Sequence, residues 1–148
     1  MKKLITKQLM VAVTMAFVVV TGVARADDDG TRECSVATLR GLYVFAASGY
    51  NIVGGVAQPK AILESIRFDG NGTLTVPAAT VSLNGTIVHS PPNGTGTYTV
   101  APDCTGTLAF GPPGPTFDLI LSPRGAEFFM IQTTPNTVLQ GNVVRLSF

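Results

Sequence analysis

Tryptophan is absent from this sequence, histidine occurs once, at His89, and cysteine twice, at Cys34 and Cys104. Two cysteines without a Cys-x-x-Cys spacing and one histidine cannot assemble the four nitrogen and sulfur ligands of a structural zinc site. No metal is expected, and no motif implies a cofactor. A Gly-x-Ser-x-Gly elbow is missing too, so hydrolase chemistry built on that strained strand-to-helix turn has no support. His89 adjoins Ser90, but neighbours on a strand point to opposite faces and do not form a nucleophile–base pair. Asp118 and Glu127 fall on different expected strands, and nothing brings them together as a carboxylate pair. No catalytic residue is assigned, and the chain reads as non-enzymatic.

A sustained helical period is missing after the first residues; the best helical stretch there is a short turn around Ser35 to Arg40. What the N-terminus does contain is a leader. Lys2, Lys3 and Lys7 precede an apolar run from Leu9 to Val23, and Ala24-Arg25-Ala26 forms a small-x-small site before Asp27-Asp28-Asp29. This is the pattern of a secretory signal peptide spanning 1–26. The run is shorter than the roughly 20 residues of a spanning helix. Cys34 does not abut it, as a lipoprotein cysteine would. The expected location is therefore periplasmic or extracellular, with 27–148 as a single domain.

Without the leader, positive charge is scarce. Six basic residues (Arg32, Arg40, Lys60, Arg67, Arg124 and Arg145) face nine carboxylates, a net charge of −3. No basic stripe remains, and nucleic acid is not an expected partner. Asp27-Asp28-Asp29-Gly30 lacks the spacing of a calcium loop and reads as a solvated new N-terminus. Asn71, Asn84 and Asn93 each begin Asn-Gly-Thr. These match glycosylation acceptors, but Asn-Gly is also turn chemistry and Thr a strand starter. In an exported chain, two cysteines argue for one disulfide, Cys34–Cys104.

Turn signals punctuate the rest, among them Asp69-Gly70-Asn71-Gly72, Pro91-Pro92-Asn93-Gly94 and Gly111-Pro112-Pro113-Gly114-Pro115. Runs rich in Val, Ile, Thr, Phe and Tyr lie between them, the signature of an all-β barrel or sandwich. The expected strands are 41–50, 60–68, 73–90, 95–101, 105–111, 116–122, 127–134 and 138–147. The third exceeds a regular strand, so Pro77 and Asn84-Gly85 must bend or divide it. Asn-Gly signals a hairpin, but strand parity favours one bent strand. In an eight-stranded meander, Cys104 follows strand 4 and returns to the end where Cys34 lies. A hairpin at Asn84 would send it to the other end, beyond the roughly 7 Å a disulfide allows between Cα atoms. The expectation is an up-and-down antiparallel β-barrel of about eight strands.

Period-2 alternation selects an inner face. Tyr43, Phe45 and Ala47 share one face, as do Ile62, Glu64, Ile66 and Phe68, then Gly96, Tyr98 and Val100, and then Phe117, Leu119 and Leu121. In the last strand Val138, Val144 and Leu146 compete with Leu139, Val143 and Arg145. The candidate core or cavity lining is Tyr43, Phe45, Glu64, Ile66, Phe68, Tyr98, Phe117 and Phe129. Glu64 stands out, because an unpaired carboxylate is costly to bury. It is either a solvated residue on an irregular strand or a polar anchor inside, with Arg40, Arg67 or Arg145 as partner. The C-terminal Val144-x-Leu146-x-Phe148 is also how membrane barrels often end. However, three tyrosines without tryptophan cannot furnish two aromatic girdles, and strands of about seven residues are short for a bilayer.

Several stretches resemble a known group. They are Cys34-Ser35-x-Ala37-Thr38-Leu39-x-Gly41-x-Tyr43-x-Phe45, Phe68-Asp69-Gly70-Asn71-Gly72, Gly94-Thr95-Gly96-Thr97-Tyr98-Thr99-Val100, Asp103-Cys104-Thr105-Gly106 and Glu127-Phe128-x-x-Ile131-Gln132-Thr133. Together they resemble an uncharacterised family of small exported bacterial β-rich proteins with two cysteines. The resemblance implies paired cysteines and a recurring domain, and brings no activity with it. The architecture is distantly similar to calycin and allene-oxide-cyclase-like barrels, an analogy of fold alone. The functional expectation is a barrel that binds a small apolar ligand or a protein partner. Its rivals are a surface-interaction protein with a fully packed core, acting through loops 91–94 and 111–115, a small outer-membrane barrel, and an enzyme using Glu64 with an arginine.

Overall fold

The computed structural model describes residues 33–147. The expected signal peptide and Asp27 to Asp29 lie outside them. A single 3-10 turn, Val36–Thr38, precedes nine strands: β1 Arg40–Val53, β2 Val56–Asp69, β3 Thr73–Leu83, β4 Thr86–Ser90, β5 Gly94–Val100, β6 Thr105–Phe110, β7 Thr116–Leu121, β8 Glu127–Gln132 and β9 Thr137–Arg145. All pairings are antiparallel. Eight strands close a ring in the order β1-β2-β3-β5-β6-β7-β8-β9, with β9 pairing back onto β1 from Tyr43↔Arg145 to Asn51↔Thr137. Short alternating strands joined by turns leave two edges, and closing the sheet on itself removes both.

β1 and β2 run further than their sequence pattern predicts. They meet at Val53↔Val56 across Gly54-Gly55, whose φ values of +58° and +81° suit the two-residue hairpin turn that twists with its strands. The expected single strand over 73–90 is not formed. Asn84 (φ +47°) and Gly85 (φ +85°) make the same kind of turn and divide it into β3 and β4. Yet Cys104 still reaches the end where Cys34 lies. The reason is that Pro91-Pro92-Asn93 does not reverse the chain. β4 and β5 both run antiparallel to β3, β4 against Ala79–Leu83 and β5 against Thr73–Val76. Prolines cannot donate to a ladder, so pairing lapses there and resumes in the same direction. The hairpin adds a strand and the prolines withhold a turn, so eight strands close the barrel with β4 as an extra. Pro77 sits where β3 changes partner, opposite a bulge between Ser65 and Arg67.

The core fills the ring. Tyr43, Phe45, Phe68, Phe117 and Phe128 are fully buried and pack edge-on, with Tyr43–Phe68 centroids 5.2 Å apart, Phe68–Tyr98 5.0 Å and Phe45–Phe117 5.8 Å. Each such side chain contributes roughly 1.5–3 kcal/mol by leaving water. In β9 the inner set is Leu139, Val143 and Arg145, while Val138 and Val144 face out. Phe129, expected inside, is 61% exposed, and its neighbour Phe128 takes the inner position. Each phase of Glu127–Gln132 carries two apolar residues and one polar one, so alternation does not choose between them. The pairing Leu121↔Phe128↔Val143 does.

Candidate functional site at the open end of the barrel

One end of the barrel is sealed. The disulfide Cys34–Cys104 holds its two Cα atoms 4.9 Å apart. It ties the 3-10 turn to the β5–β6 connection, where Cys34 N–H donates to Pro102 O at 3.1 Å. Leu39, fully buried, plugs the opening. The Tyr98 hydroxyl accepts from Gly70 N–H at 3.0 Å and lies 3.0 Å from the carbonyl oxygens of Val36 and Leu39. The Tyr43 hydroxyl donates to Gly125 O at 2.8 Å and accepts from Arg145 Nε at 2.8 Å, while Arg145 Nη2 donates to Thr38 O at 3.0 Å. The polar groups carried into this end are therefore paired, as burial requires.

The other end is open. A cavity of about 560 Å³ descends between β2, β3 and the β4–β5 and β6–β7 connections. That volume lies within the usual range for a small-molecule site. The buried members of its lining, Glu64, Val76, Ala79 and Phe117, mark the deep end; half-buried Asn51, Lys60, Val81 and Leu83 lie nearer the mouth. Strand parity places them. Ile62, Glu64 and Lys60 alternate on the inner face of β2, and pairing sets Glu64 between Phe45 on β1 and Ala79 on β3.

Glu64 is only 9% exposed. Desolvation raises its pKa from 4.5 to about 7, and among the described residues no hydrogen bond or neighbouring charge offsets it. The arginine partnership expected for it is not made. Arg145 is engaged by Tyr43 and Thr38, and Arg40 and Arg67 are exposed. Lys60 is the charged group nearest the mouth. Its ammonium reaches across to Gln132 Oε1 on β8, 3.3 Å away, and burial lowers its pKa. Lys60 and Gln132 escaped the sequence reading, although the signal was available: each shares strand parity with the residues that became the core.

Of the eight candidate lining residues, Glu64 and Phe117 border the cavity, and Tyr43, Phe45, Ile66, Phe68 and Tyr98 form the packed core beneath it. Phe129 lies on the outer wall, where it borders a groove with Ile120 and Ile131. His89 is exposed and lies 3.2 Å from Thr80 Oγ1 through its Nδ1, away from the lumen. Among the described residues no group of three His, Cys, Asp or Glu converges. Comparison with protein-family models, with curated proteins and with solved structures finds no match.

Proposed function

We propose that this chain is an exported, non-enzymatic binding module whose barrel holds a small apolar molecule in its open end. The observation that carries this reading is Glu64, a largely buried carboxylate with no hydrogen-bond or ionic partner among the described residues, whose oxygens open onto the deep end of the cavity. A hydrophobic side chain there would pack without that penalty. Groups that lower stability in a cleft are characteristic of sites that act on something else. The disulfide fits an oxidising compartment outside the cytoplasm, in keeping with the leader. The outer wall mixes exposed Thr75, Thr97, Thr99 and Thr107 with scattered apolar side chains such as Leu63, Ile120, Phe129 and Val138, and most of the aromatic rings lie inside. A barrel facing lipid needs a continuous apolar band flanked by two aromatic girdles, which this mixed wall does not present among the described residues.

A second reading, docking of a protein partner, draws on the exposed Ile120, Phe129 and Ile131 side chains on β7 and β8. The lumen reading is tested by titrating the purified protein with Nile red, an uncharged dye that brightens in apolar surroundings. One molecule should bind per chain, and Val81→Trp, which fills the cavity wall, should abolish binding while circular dichroism is unchanged. Dye binding that ignores Val81→Trp, or none at all, would count against the lumen as the site.

A further inference from the structure

The lumen reading leaves open which molecule enters, and the placement of its polar groups narrows the chemistry. This inference rests on that reading. In a pocket for a fatty acid, the protein group facing the ligand's carboxylate would be a cation or a hydrogen-bond donor. Here the deep end holds an acceptor. Glu64 lies among Phe45, Val76, Ala79 and Phe117, all buried. The walls above it are Ile62, Val81 and Leu83. Lys60, four residues nearer the mouth on the same face of β2, is the one other ionisable side chain among the described residues that border the cavity. Its ammonium is already directed to Gln132.

We propose that the lumen selects molecules carrying a protonated amine on an apolar body, bound with the amine innermost against the Glu64 carboxylate. The body then lies along Ile62, Val81 and Leu83. A ligand bearing a carboxylate is disfavoured in either orientation. Head-down, it meets a like charge; head-up at Lys60, it leaves an apolar tail against Glu64 and the carboxyl unsatisfied. An alcohol can donate to Glu64 but brings no charge, and charge-assisted hydrogen bonds are about twice as strong as neutral ones. Displacing water from an unpaired carboxylate is repaid only by a donor that stays with it.

The test is competition against bound Nile red at pH 8.5 with three ligands of one chain length: n-octylamine, n-octanol and octanoate. The expected result is displacement by octylamine at a concentration about tenfold below that for octanol, with octanoate weakest. In Glu64→Gln, which keeps the shape and removes the charge, octylamine should fall to within about twofold of octanol. Octanoate matching octylamine, or an amine advantage that survives Glu64→Gln, overturns the inference and leaves the lumen reading standing. If Glu64→Gln does not fold, the rank order in the wild-type protein decides alone. Failure of Nile red to enter the wild-type protein sinks the lumen reading, and this inference with it.

Discussion

Replacing Glu64 by glutamine should make the protein more stable at alkaline pH and leave it nearly unchanged in acid. In the unfolded chain this carboxyl titrates near 4.5, and in the barrel at about 7, because burial strips the charged form of water. A carboxyl whose folded pKa is raised binds its proton more tightly in the folded state. Its contribution is fully present below pH 4.5 and is lost as pH rises through 7. At about 1.4 kcal/mol for each pH unit between those values, the loss is about 3 kcal/mol. Glutamine cannot ionise, so Glu64→Gln escapes it. Below pH 4.5 the two proteins should agree within about 1 kcal/mol, and at pH 8.5 the variant should lead by about 3 kcal/mol. The assay is guanidinium unfolding at pH 4, 6 and 8.5, followed by circular dichroism and by tyrosine emission, since the chain has no tryptophan. Asp69 is held down to about 2 by hydrogen bonds from the Thr73 side chain and the Asn71 amide, and Asp103 is lowered by Thr105. Both titrate alike in the two proteins and cancel in the difference. A stability difference that is the same at pH 4 and pH 8.5 would refute the placement of Glu64 as a buried, unpaired carboxylate.

Three further outcomes follow from the packing. Cys104→Ser opens a disulfide that spans 70 residues and should cost on the order of 4 kcal/mol in guanidinium unfolding; a loss below about 1 kcal/mol would mean that the bridge constrains little. Phe128→Ala should cost about 3–5 kcal/mol and its neighbour Phe129→Ala less than about 1, because one ring is buried in the barrel and the other is exposed; equal losses would place the register of β8 wrongly. Tyr98→Phe removes the hydroxyl shared by Gly70 N–H and the carbonyls of Val36 and Leu39. It should lower stability by about 1–3 kcal/mol, with thermal unfolding as the measurement, and an unchanged midpoint would show that those groups find other partners.

Part of the site was legible before the fold was known. Period-2 alternation put Glu64 in phase with Ile62, Ile66 and Phe68, and that phase is the inner one. Whether the carboxylate would be solvated depended on which end of the barrel stayed open and on how far β1 to β3 rise around it. Those are properties of the closed sheet. Its expected arginine partner failed for a similar reason: Arg145 does face inward, but Tyr43 and Thr38, on the neighbouring strand and the 3-10 turn, reach it. Phe128 and Phe129 are indistinguishable by pattern, because each phase of Glu127–Gln132 carries two apolar residues and one polar one. A one-residue slip exchanges the faces of a strand, and only the partners Leu121 and Val143 fix which phase faces in.

The sequence by itself determined the strand grammar: all-β content, most of the Pro- and Gly-rich breaks between strands, the pairing of its two cysteines, and the inner face wherever one phase was polar. Each of these is a local property, set by backbone sterics, by side-chain alternation or by a count. The tertiary structure decided what depends on two distant stretches meeting. It divided 73–90 into β3 and β4, carried the chain straight through Pro91-Pro92 into β5, and closed β9 on β1. It sealed the cysteine end and left Glu64 alone at the bottom of the other. A carboxylate on an apolar strand face is an anomaly that the chain can spell. Only closure of the barrel, by excluding water from one side of every strand, turns it into a buried charge facing a cavity.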